Sequence, residues 1–542
     1  LNRRYPLSDQ SATRLASYNS FTIRRTTKEV NMPDALQQRC QHIVTSPVLT
    51  PEQKRHFLAL EAENNLPYPA LPEAARAALD EGFICDMFEG HAPYKPRYVL
   101  PDYAKFLANG SEWLELEGAK DLDDALSLLT ILYHHVPSVT SMPVYLGQLD
   151  EILSPYVKIL TQDEIDSRIK RFWRYLDRTL PDAFMHANIG PADTPVTRAI
   201  LRADAELKQV APNLTFIYDP DVTPSDLLLS VAKNICECSK PHISNGPVND
   251  KIFTKGRYGV VSCYNSLPLA GGGSTLVRLN LKAIAEHSRS PEDFFTRTLP
   301  HYCQQQIAII NARCDFLYEQ SGFFENSFLV KEGLIDADRF VPMFGMYGLA
   351  EAVNVLCQKA GITGRYGKNE QANALGYRIS EQLAAFVENT PVKHGWKQRA
   401  MLHAQSGISS DSGTTPGARL PYGDEPDPIS HLLAVAPHHK HYASGISDIL
   451  TLDETVKRNP QAVVQLCLGA FRAGMREFTA NVAGNDLVRV TGYMVRLSDL
   501  EKYREAGSRT NTTWLGEEAA RNTRILERQP RVISHEQQMR FS

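Results

Sequence analysis

One stretch near the C-terminal end of the 542 residues decides how the rest of the chain is interpreted: Val488-Arg489-Val490-Thr491-Gly492-Tyr493-Met494-Val495-Arg496-Leu497. Its flanks, residues 487–490 and 493–497, are rich in β-branched, aromatic and aliphatic side chains, which predicts two strands. Gly492 interrupts them. A glycine inside a strand pattern marks a tight turn, a bulge or a close approach by another group. An ordinary strand and turn is the simplest interpretation.

Gly492 also has a chemical property that other residues lack. Removing a hydrogen from a glycine Cα leaves a radical that the amide nitrogen and the carbonyl both stabilise, and the centre flattens freely because there is no Cβ. The residues Arg489-Val490-Thr491-Gly492-Tyr493 resemble the C-terminal signature of the glycyl radical enzymes. That resemblance implies that Gly492 stores a radical.

A stored radical needs a group that passes it to a substrate, and a thiol suits this because its S–H bond is similar in strength to a glycyl Cα–H bond. The segment Gly256-Arg257-Tyr258-Gly259-Val260-Val261-Ser262-Cys263 predicts a strand at residues 258–262 that ends in a cysteine. It resembles the cysteine loop of the same family, which implies that Cys263 forms the thiyl radical. Upstream, Pro212-Asn213-Leu214-Thr215, Tyr218, Pro220 and Asn249-Asp250 resemble the family's approach to that loop.

The composition fits a soluble globular protein, with 43% hydrophobic and 22% charged residues. A formal net charge of -4 gives no basic footprint, so the chain is predicted to bind neither nucleic acid nor a membrane surface. No apolar run of about eighteen residues predicts a membrane span. Nine cysteines without a regular spacing indicate free thiols in a reducing cytoplasm. The Cys236-Glu237-Cys238 pair has no second pair to complete a zinc site, so we interpret it as structural.

Residues 1–31 lack periodicity and an apolar centre, so they are predicted to be a disordered or irregular extension rather than a signal peptide. Met32 is a possible natural start. Beyond it, periodicity predicts helices and strands in alternation, which indicates a largely parallel α/β body. The predicted helices are 50–64, with a capping box at Thr50-Pro51-Glu52-Gln53, and 72–80, 123–135, 163–176, 225–235, 291–319, 345–360, 370–388 and 453–478; the predicted strands include 214–218 and 399–403.

The family resemblance implies an architecture that periodicity does not show. Glycyl radical enzymes have a ten-stranded barrel of two antiparallel half-barrels, each of five parallel strands with helices outside, and the cysteine and glycyl loops meet at its centre. We therefore expect residues 32–470 to form an α/β barrel with the cysteine loop, and residues 471–542 to form the C-terminal glycyl radical segment. Relatives are homodimers and are activated by a separate radical S-adenosylmethionine enzyme. This chain has no C-x-x-x-C-x-x-C motif of its own, so such an activase is an expected partner.

Other polar or glycine-rich segments have less specific patterns. Gly271-Gly272-Gly273-Ser274-Thr275 lacks the lysine of a phosphate loop and is interpreted as a flexible turn. His438, His439 and His441 are interpreted as a solvated loop rather than a metal cluster. Glu351, in a pattern similar to one in anaerobic ribonucleotide reductases, could face a substrate. Residues 409–424 form a long loop in which Arg419 either binds an anionic substrate or lies in a surface excursion.

Departures from the family pattern argue against three known groups of glycyl radical enzymes. Pyruvate formate-lyases carry two adjacent cysteines, whereas Cys263 lies between Ser262 and Tyr264. The diol, choline and sulfonate lyases place a glutamate base where this chain has Asn265, which cannot take a proton. Anaerobic ribonucleotide reductases have four zinc cysteines before the glycine, whereas residues 430–542 contain only Cys467.

The chain as a whole looks closest to the YjjI-type glycyl radical enzymes, including the run Phe88-Glu89-Gly90-His91 and residues 517–542. The sequence thus predicts a cytoplasmic, oxygen-sensitive glycyl radical enzyme with catalytic residues Cys263 and Gly492, no bound cofactor or metal, and a small organic substrate. A ribonucleotide reductase-like enzyme is the first alternative. A catalytically silent or radical-bearing accessory subunit is the second.

Overall fold

The computed structural model describes residues 32–47, 49–86, 89–138, 144–180, 184–404, 413–490, 492, 494–506, 526 and 530–532. The predicted extension at residues 1–31 lies outside the described residues, as does most of 517–542. Among the described residues, no helix is both long and apolar enough to cross a membrane.

Helices and strands alternate along the chain, as the sequence predicts. The helices are α1 Met32–Thr45, α2 Pro51–Asn64, α3 Glu73–Asp80, α4 Tyr103–Asn109, α5 Leu122–Tyr133, α6 Leu149–Leu153, α7 Gln162–Thr179, α8 Pro195–Leu207, α9 Ser225–Cys238, α10 Gly246–Ile252, α11 Leu281–His287, α12 Pro291–Asp293, α13 Leu299–Asp315, α14 Phe323–Asn326, α15 Phe328–Lys331, α16 Leu349–Ala360, α17 Glu370–Asn389, α18 Pro428–Val435, α19 Pro460–Arg472 and α20 Leu497–Ala506. The strands are β1 Ile84–Asp86, β2 Tyr98–Leu100, β3 Tyr145–Gln148, β4 His186–Ile189, β5 Asn213–Tyr218, β6 His242–Asn245, β7 Tyr258–Val261, β8 Asn265–Pro268, β9 Gly271–Asn280, β10 Phe340–Tyr347, β11 Met401–Ala404, β12 Leu450–Leu452, β13 Glu477–Phe478, β14 Ala480–Val482, β15 Leu487–Arg489 and β16 Met494–Arg496.

The predicted helix starts are confirmed where the capping chemistry is local. Thr50 and Gln53 form the predicted capping box at the start of α2. In α7 the predicted apolar face is buried, and the helix packs on α8. Thus α7 lies with its apolar side against a larger body, as its sequence predicts.

The first of two five-stranded sheets carries the polar chemistry described below. Its strand order is β13-β6-β5-β4-β3. Strands β3 to β6 run parallel, and β13 joins β6 in the antiparallel direction through only two residues. Because parallel strands are covered by helices, β4 is buried along its whole length.

The second sheet is built around β9, which pairs in parallel with β10, while β10 pairs in parallel with β11. Strands β1 and β2 pair with β9 in the antiparallel direction. The interpretation of Gly271–Thr275 as a flexible turn is therefore wrong, because these residues begin β9. Its glycines allow a close approach of neighbouring backbone: a Cβ on Gly272 would lie 1.9 Å from the Tyr98 carbonyl oxygen.

The mixed α/β class is confirmed, but five parallel strands per half is wrong. Each sheet combines parallel strands with antiparallel ones. The reason is that β1, β2 and β13 are short strands that add to open sheet edges or to the end of a long strand, and hydrogen bonding there accepts either direction. Within the described part of the chain, no strand pairing joins the two sheets into a closed barrel.

Two predicted helices are also corrected by local breakers. The predicted helix at 453–478 is a short 3₁₀ turn, Glu454–Arg458, followed by α19 and then β13. Pro460 starts α19, and Gly474, at φ +103°, stands between α19 and β13. The predicted helix at 345–360 begins only at Leu349, because residues 345–347 continue β10.

Candidate active site

The stretch around Gly492 forms a hairpin. Strands β15 and β16 pair in the antiparallel direction, with Arg489 opposite Met494. The connection between them contains Gly492, which is buried, so the predicted strands on either side of the glycine are confirmed. Thr491 and Tyr493 lie outside the described residues.

Cys263 is at the tip of a second hairpin. Strands β7 and β8 pair in the antiparallel direction with Val261 opposite Asn265, which leaves Ser262, Cys263 and Tyr264 as the turn. Ser262 has φ 51° and Tyr264 has φ 66°, a left-handed conformation that costs energy for residues with a Cβ. Such a backbone persists only where its surroundings hold it.

Buried side chains hold this turn in place. The Tyr98 hydroxyl donates to Ser262 Oγ over 3.1 Å, and the Asn265 amide donates to the Val261 carbonyl over 3.1 Å. Asn188 bonds both the N–H and the carbonyl of Val260, each over 2.8 Å. The turn that carries Cys263 is therefore held by hydrogen bonds from three buried side chains.

The two hairpin tips meet. A Cβ placed on Gly492 would lie 2.0 Å from Cys263 Cα and 2.5 Å from both Cys263 N and Ser262 O. These are backbone atoms that cannot move aside, so only a glycine fits. The structure therefore brings together the two residues that the sequence singles out, which lie 229 positions apart by their numbers, 492 and 263.

A buried arginine anchors the glycine hairpin. Arg489 donates to Asn213 Oδ1 over 2.8 Å and to the Ser239 carbonyl over 3.1 Å. Asn213 in turn donates from its amide to the Gly492 carbonyl. Asn481 bonds the backbone of Arg489 through both its N–H and its carbonyl. The sequence singles out Asn213 as part of a family motif, but this role as a link between strand β5 and Gly492 becomes visible only in three dimensions.

A chain of polar side chains crosses the first sheet beside the Cys263 loop. His186 Nε2 lies 2.5 Å from Thr215 Oγ1, which lies 2.9 Å from His242 Nδ1. His242 Nε2 lies 3.0 Å from Glu477 Oε2. The ring of Tyr264, next to Cys263, packs edge-on against His242 with 4.1 Å between centroids. Sequence analysis missed this chain, because its members come from four separate strands.

Burial determines the protonation states of His186, His242 and Glu477. Desolvation lowers the pKa of His186 to about 3 and lowers the pKa of His242 well below its usual value. Desolvation also raises the pKa of Glu477 to about 8, although Arg476 and the hydroxyl of Ser244 pull it down. Near neutral pH both imidazoles are therefore neutral, and Glu477 holds a proton for much of the time.

The prediction of a solvated loop is wrong for two of the three histidines near residue 440, His438 and His439. His438 is fully buried, with Nε2 3.0 Å from the Tyr366 hydroxyl and Nδ1 2.7 Å from Ser380 Oγ. His439 is buried and accepts the Arg476 N–H over 3.1 Å. Burial lowers the pKa of each to about 3. A 3₁₀ turn between α18 and the core carries them inward.

Among the described residues, one group has the spacing of metal ligands: Asp315, Glu319 and His394. It lies at the surface, where Glu319 also binds Lys393. Cys236 and Cys238 are buried free thiols, as a structural interpretation of the C-x-C pair requires.

The remaining candidates are engaged by protein groups. Arg419 is buried and donates to the Ser447 carbonyl, the Ser447 hydroxyl and the Tyr422 hydroxyl, over 3.2, 2.9 and 3.1 Å. A surface excursion is therefore wrong for Arg419, while residues 405–412 lie outside the described residues. Glu351 accepts a hydrogen bond from Thr415 over 2.5 Å. Substrate roles for Arg419 and Glu351 stay predictions.

Comparison with known proteins agrees with this geometry. Residues 49–531 match the model of the family described as glycyl radical enzyme YjjI-like. The chain is 87% identical to the protein named YjjI of Escherichia coli (strain K12) over 509 residues, covering 94% of this chain and 99% of that protein. A Haemophilus influenzae protein is 40% identical over 459 residues, covering 84% and 89%. The chain therefore belongs to the YjjI-like glycyl radical enzyme family.

Solved structures share the fold at low identity. The B12-independent glycerol dehydratase of Clostridium butyricum has a TM-score of 0.68 at 13% identity, covering 92% of this chain and 88% of its own. The hydroxyproline dehydratase of Clostridioides difficile has 0.65 at 12%, covering 91% and 88%. The anaerobic ribonucleotide reductase of Thermotoga maritima has 0.64 at 13%, covering 93% and 99%.

Proposed function

We propose that this protein is an oxygen-sensitive radical enzyme in which Gly492 stores the radical and Cys263 uses it. A separate radical S-adenosylmethionine activase removes a hydrogen atom from Gly492 Cα. The Cys263 S–H bond then breaks and restores the Cα–H bond, which leaves a thiyl radical. The thiyl takes a hydrogen atom from a small organic substrate and returns it to the product radical at the end of the cycle.

The observation that supports this proposal is the contact between the hairpin tips. Hydrogen transfer needs the two centres almost in contact. Gly492 touches the backbone of Cys263 so closely that a Cβ would lie 2.0 Å from its Cα. Both residues are buried, which protects a radical from solvent and oxygen.

The surroundings of Cys263 favour lyase-type radical chemistry over acyl transfer. Acyl transfer by two thiols requires a second cysteine beside Cys263, and Ser262 and Tyr264 occupy those positions. Asn265 is fully buried, and its Oδ1 has no hydrogen-bond partner within the described part of the chain. A neutral acceptor of this kind positions a substrate hydroxyl or amine without removing its proton.

Family membership supports a wider assembly, which is part of the same proposal. We assign the two five-stranded sheets to the halves of a ten-stranded barrel and residues 471–542 to the glycyl radical segment. We further propose a homodimer that works in the cytoplasm.

The decisive experiment uses activated protein and an anaerobic metabolite extract. The wild-type protein should consume a small number of compounds, and Cys263→Ala, activated to the same radical content, should consume none. Equal consumption by both proteins would refute the proposal. The compounds consumed would identify the substrate class directly.

A further inference from the structure

The polar chain beside Cys263 crosses four neighbouring strands of the first sheet. His186, Thr215, His242 and Glu477 come from β4, β5, β6 and β13, which are neighbours in that order. Thr215 stands directly opposite His242, and Glu477 stands opposite Ser244. All four side chains are at most 1% exposed. Three adjacent parallel strands and the antiparallel β13 thus place one hydrogen-bonding group after another along a single line.

The hydrogen bonds along this polar chain are complete in two protonation states. If Glu477 is ionised, it accepts the His242 Nε2 proton, His242 Nδ1 accepts the Thr215 hydroxyl, and the hydroxyl oxygen accepts the His186 Nε2 proton. The remaining nitrogen, His186 Nδ1, is then a bare acceptor. If Glu477 is protonated, every bond reverses and Nδ1 carries the proton. Glu477 thereby determines, through the two residues between them, whether His186 Nδ1 donates or accepts.

A proton relay needs one end that stores a proton and one end that can pass it on, and the two ends of the polar chain differ in this way. At one end the Ser244 hydroxyl donates to Glu477 Oε1 over 3.0 Å, which leaves Oε2 to exchange a proton with His242. At the other end His186 Nδ1 is buried and no side chain bonds it within the described part of the chain; only the Ser262 backbone offers the ring a further, weak hydrogen bond. The backbone of Ser262, next to Cys263, interacts with the His186 ring and offsets part of the loss of pKa that burial causes.

We propose that His186, Thr215, His242 and Glu477 form a proton relay that exchanges one proton with the substrate beside Cys263. This rests on the proposed function, and it supplies the acid and base that Asn265 cannot. After Cys263 has taken a hydrogen atom, a leaving group departs with its bonding electron pair and the proton of His186 Nδ1. The resulting radical cation returns a proton from its O–H or N–H bond to the same nitrogen. The unpaired electron stays on the substrate, and the relay ends as it began.

The charges around the line suit transfer without a charged imidazole. Burial keeps both histidines neutral, and the pKa of Glu477 at about 8 leaves the proton-loaded state populated near neutral pH. The line conveys a proton by switching tautomers, which avoids a buried positive charge. The titratable and charged groups that act on its members from the packed elements are Arg476, Tyr258, Arg489 and Lys240.

The first test measures the coupling between Glu477 and His186 in protein that has been neither activated nor given substrate. In the full-length protein labelled with ¹⁵N-histidine, His186→Gln identifies the His186 signals. We expect His186 Nδ1 to change from protonated to bare as the pH rises through the Glu477 transition. Thr215→Val should abolish that change because it removes the linking hydroxyl, and Thr215→Ser should rescue it. Glu477→Gln should remove the titration altogether.

A matched control separates the relay from general damage. Thr197 is also a buried threonine with a bonded hydroxyl, which donates to the Asp150 carboxylate over 2.7 Å. Thr197→Val should lower stability to a similar extent and leave the His186 titration as it is. The relay would be overturned by a His186 signal that does not change with the titration of Glu477. It would also be overturned by a signal that still changes in Thr215→Val.

The second test uses the activated protein and the metabolite extract. At equal glycyl radical content, Thr215→Val should consume the substrate about 10²-fold or more slowly than wild type, the usual size of an acid–base contribution, with partial recovery in Thr215→Ser. Wild-type consumption should fall as the pH rises above the Glu477 transition. An unchanged rate in Thr215→Val overturns the relay alone. No radical-dependent consumption by wild type overturns the proposed function and the catalytic role of the relay, while the coupling in the first test stands.

Discussion

At the scale of single residues, the backbone geometry of Gly492 is its main constraint. Its Cα faces the Cys263 backbone with no space for a methyl group. Gly492→Ala should therefore give no glycyl radical signal, because the methyl group would clash with Cys263 and obstruct the flat radical centre. Wild-type protein, treated with its activase and S-adenosylmethionine without oxygen, should give a doublet in electron paramagnetic resonance that collapses to a singlet when glycine is deuterated at Cα.

A control glycine makes this measurement specific. Gly361 ends α16 at φ +68°, and a Cβ there meets no atom within 4 Å. Gly361→Ala should cost about 1 kcal/mol of stability through its backbone conformation and keep the doublet. A normal doublet from Gly492→Ala would contradict the assignment of the radical to Gly492.

Cys263 separates storage of the radical from its use. Cys263→Ser should still form the glycyl radical, but it should turn over no substrate, because a serine O–H bond is too strong to exchange hydrogen with Gly492. Radical content by electron paramagnetic resonance and substrate consumption measure the two properties independently. Cys467→Ser, which changes another fully buried thiol, should retain turnover. Turnover by Cys263→Ser would assign the thiyl to a different cysteine.

At the scale of elements, the glycine hairpin depends on one polar link to the first sheet. Asn213 accepts from Arg489 and donates to the Gly492 carbonyl. Asn213→Ala leaves a buried guanidinium short of a partner, which should cost about 1.5–3 kcal/mol. We expect the peptide that contains residues 485–496 to exchange its amide hydrogens faster, measured by mass spectrometry.

The loss should be local, because β15 and β16 pair with each other rather than with a large sheet. Asn373→Ala provides the comparison, since the side chain of Asn373 also bonds backbone: its Oδ1 accepts the Gly367 N–H over 2.7 Å, in a half-buried hydrogen bond in another part of the fold. It should leave exchange in the hairpin unchanged. Equal exchange in wild type and Asn213→Ala would show that packing alone holds the hairpin.

The same scale explains which features the sequence predicts. Three of the four hairpin strands, β7, β15 and β16, follow from short-range patterns, but β8 is not predicted and Ser262 lies in the turn rather than in the predicted strand. The contact between the two hairpins follows from the family resemblance and not from the patterns themselves. The strand that begins at Gly271–Thr275 is not predicted by local patterns. Glycines are needed there because the backbones of Tyr98 and Arg339, which are distant in sequence, approach closely.

The polar relay is the clearest case of a feature beyond sequence reasoning. His242 and Glu477 are 235 positions apart and meet only because β13 joins β6. Each residue alone has the pattern of an ordinary buried polar side chain. The same holds for His438, whose partners Tyr366 and Ser380 come from other elements. Strand order, which local periodicity does not encode, creates these contacts.

At the scale of the whole molecule, the fold alone does not separate small-molecule enzymes from nucleotide reductases, because structures of both kinds share it. The difference must come from the residues around it. A nucleotide reductase of this type needs a source of reducing equivalents and a nucleotide site, and residues 430–542 hold a single cysteine, Cys467, where its zinc site would need four.

We therefore predict that nucleoside triphosphates neither react with this protein nor stabilise it. A ligand that binds the folded state at one hundred times its Kd adds about 2.7 kcal/mol of stability, which raises the melting temperature measurably. Triphosphates at millimolar concentration should leave the melting temperature unchanged. Activated protein should form no deoxynucleotide with formate or thiols as reductant, with Gly492→Ala as the radical-free control. Deoxynucleotide formed by wild type and not by Gly492→Ala would make the molecule a reductase, and it would show that reducing equivalents reach Cys263 without a C-terminal zinc site.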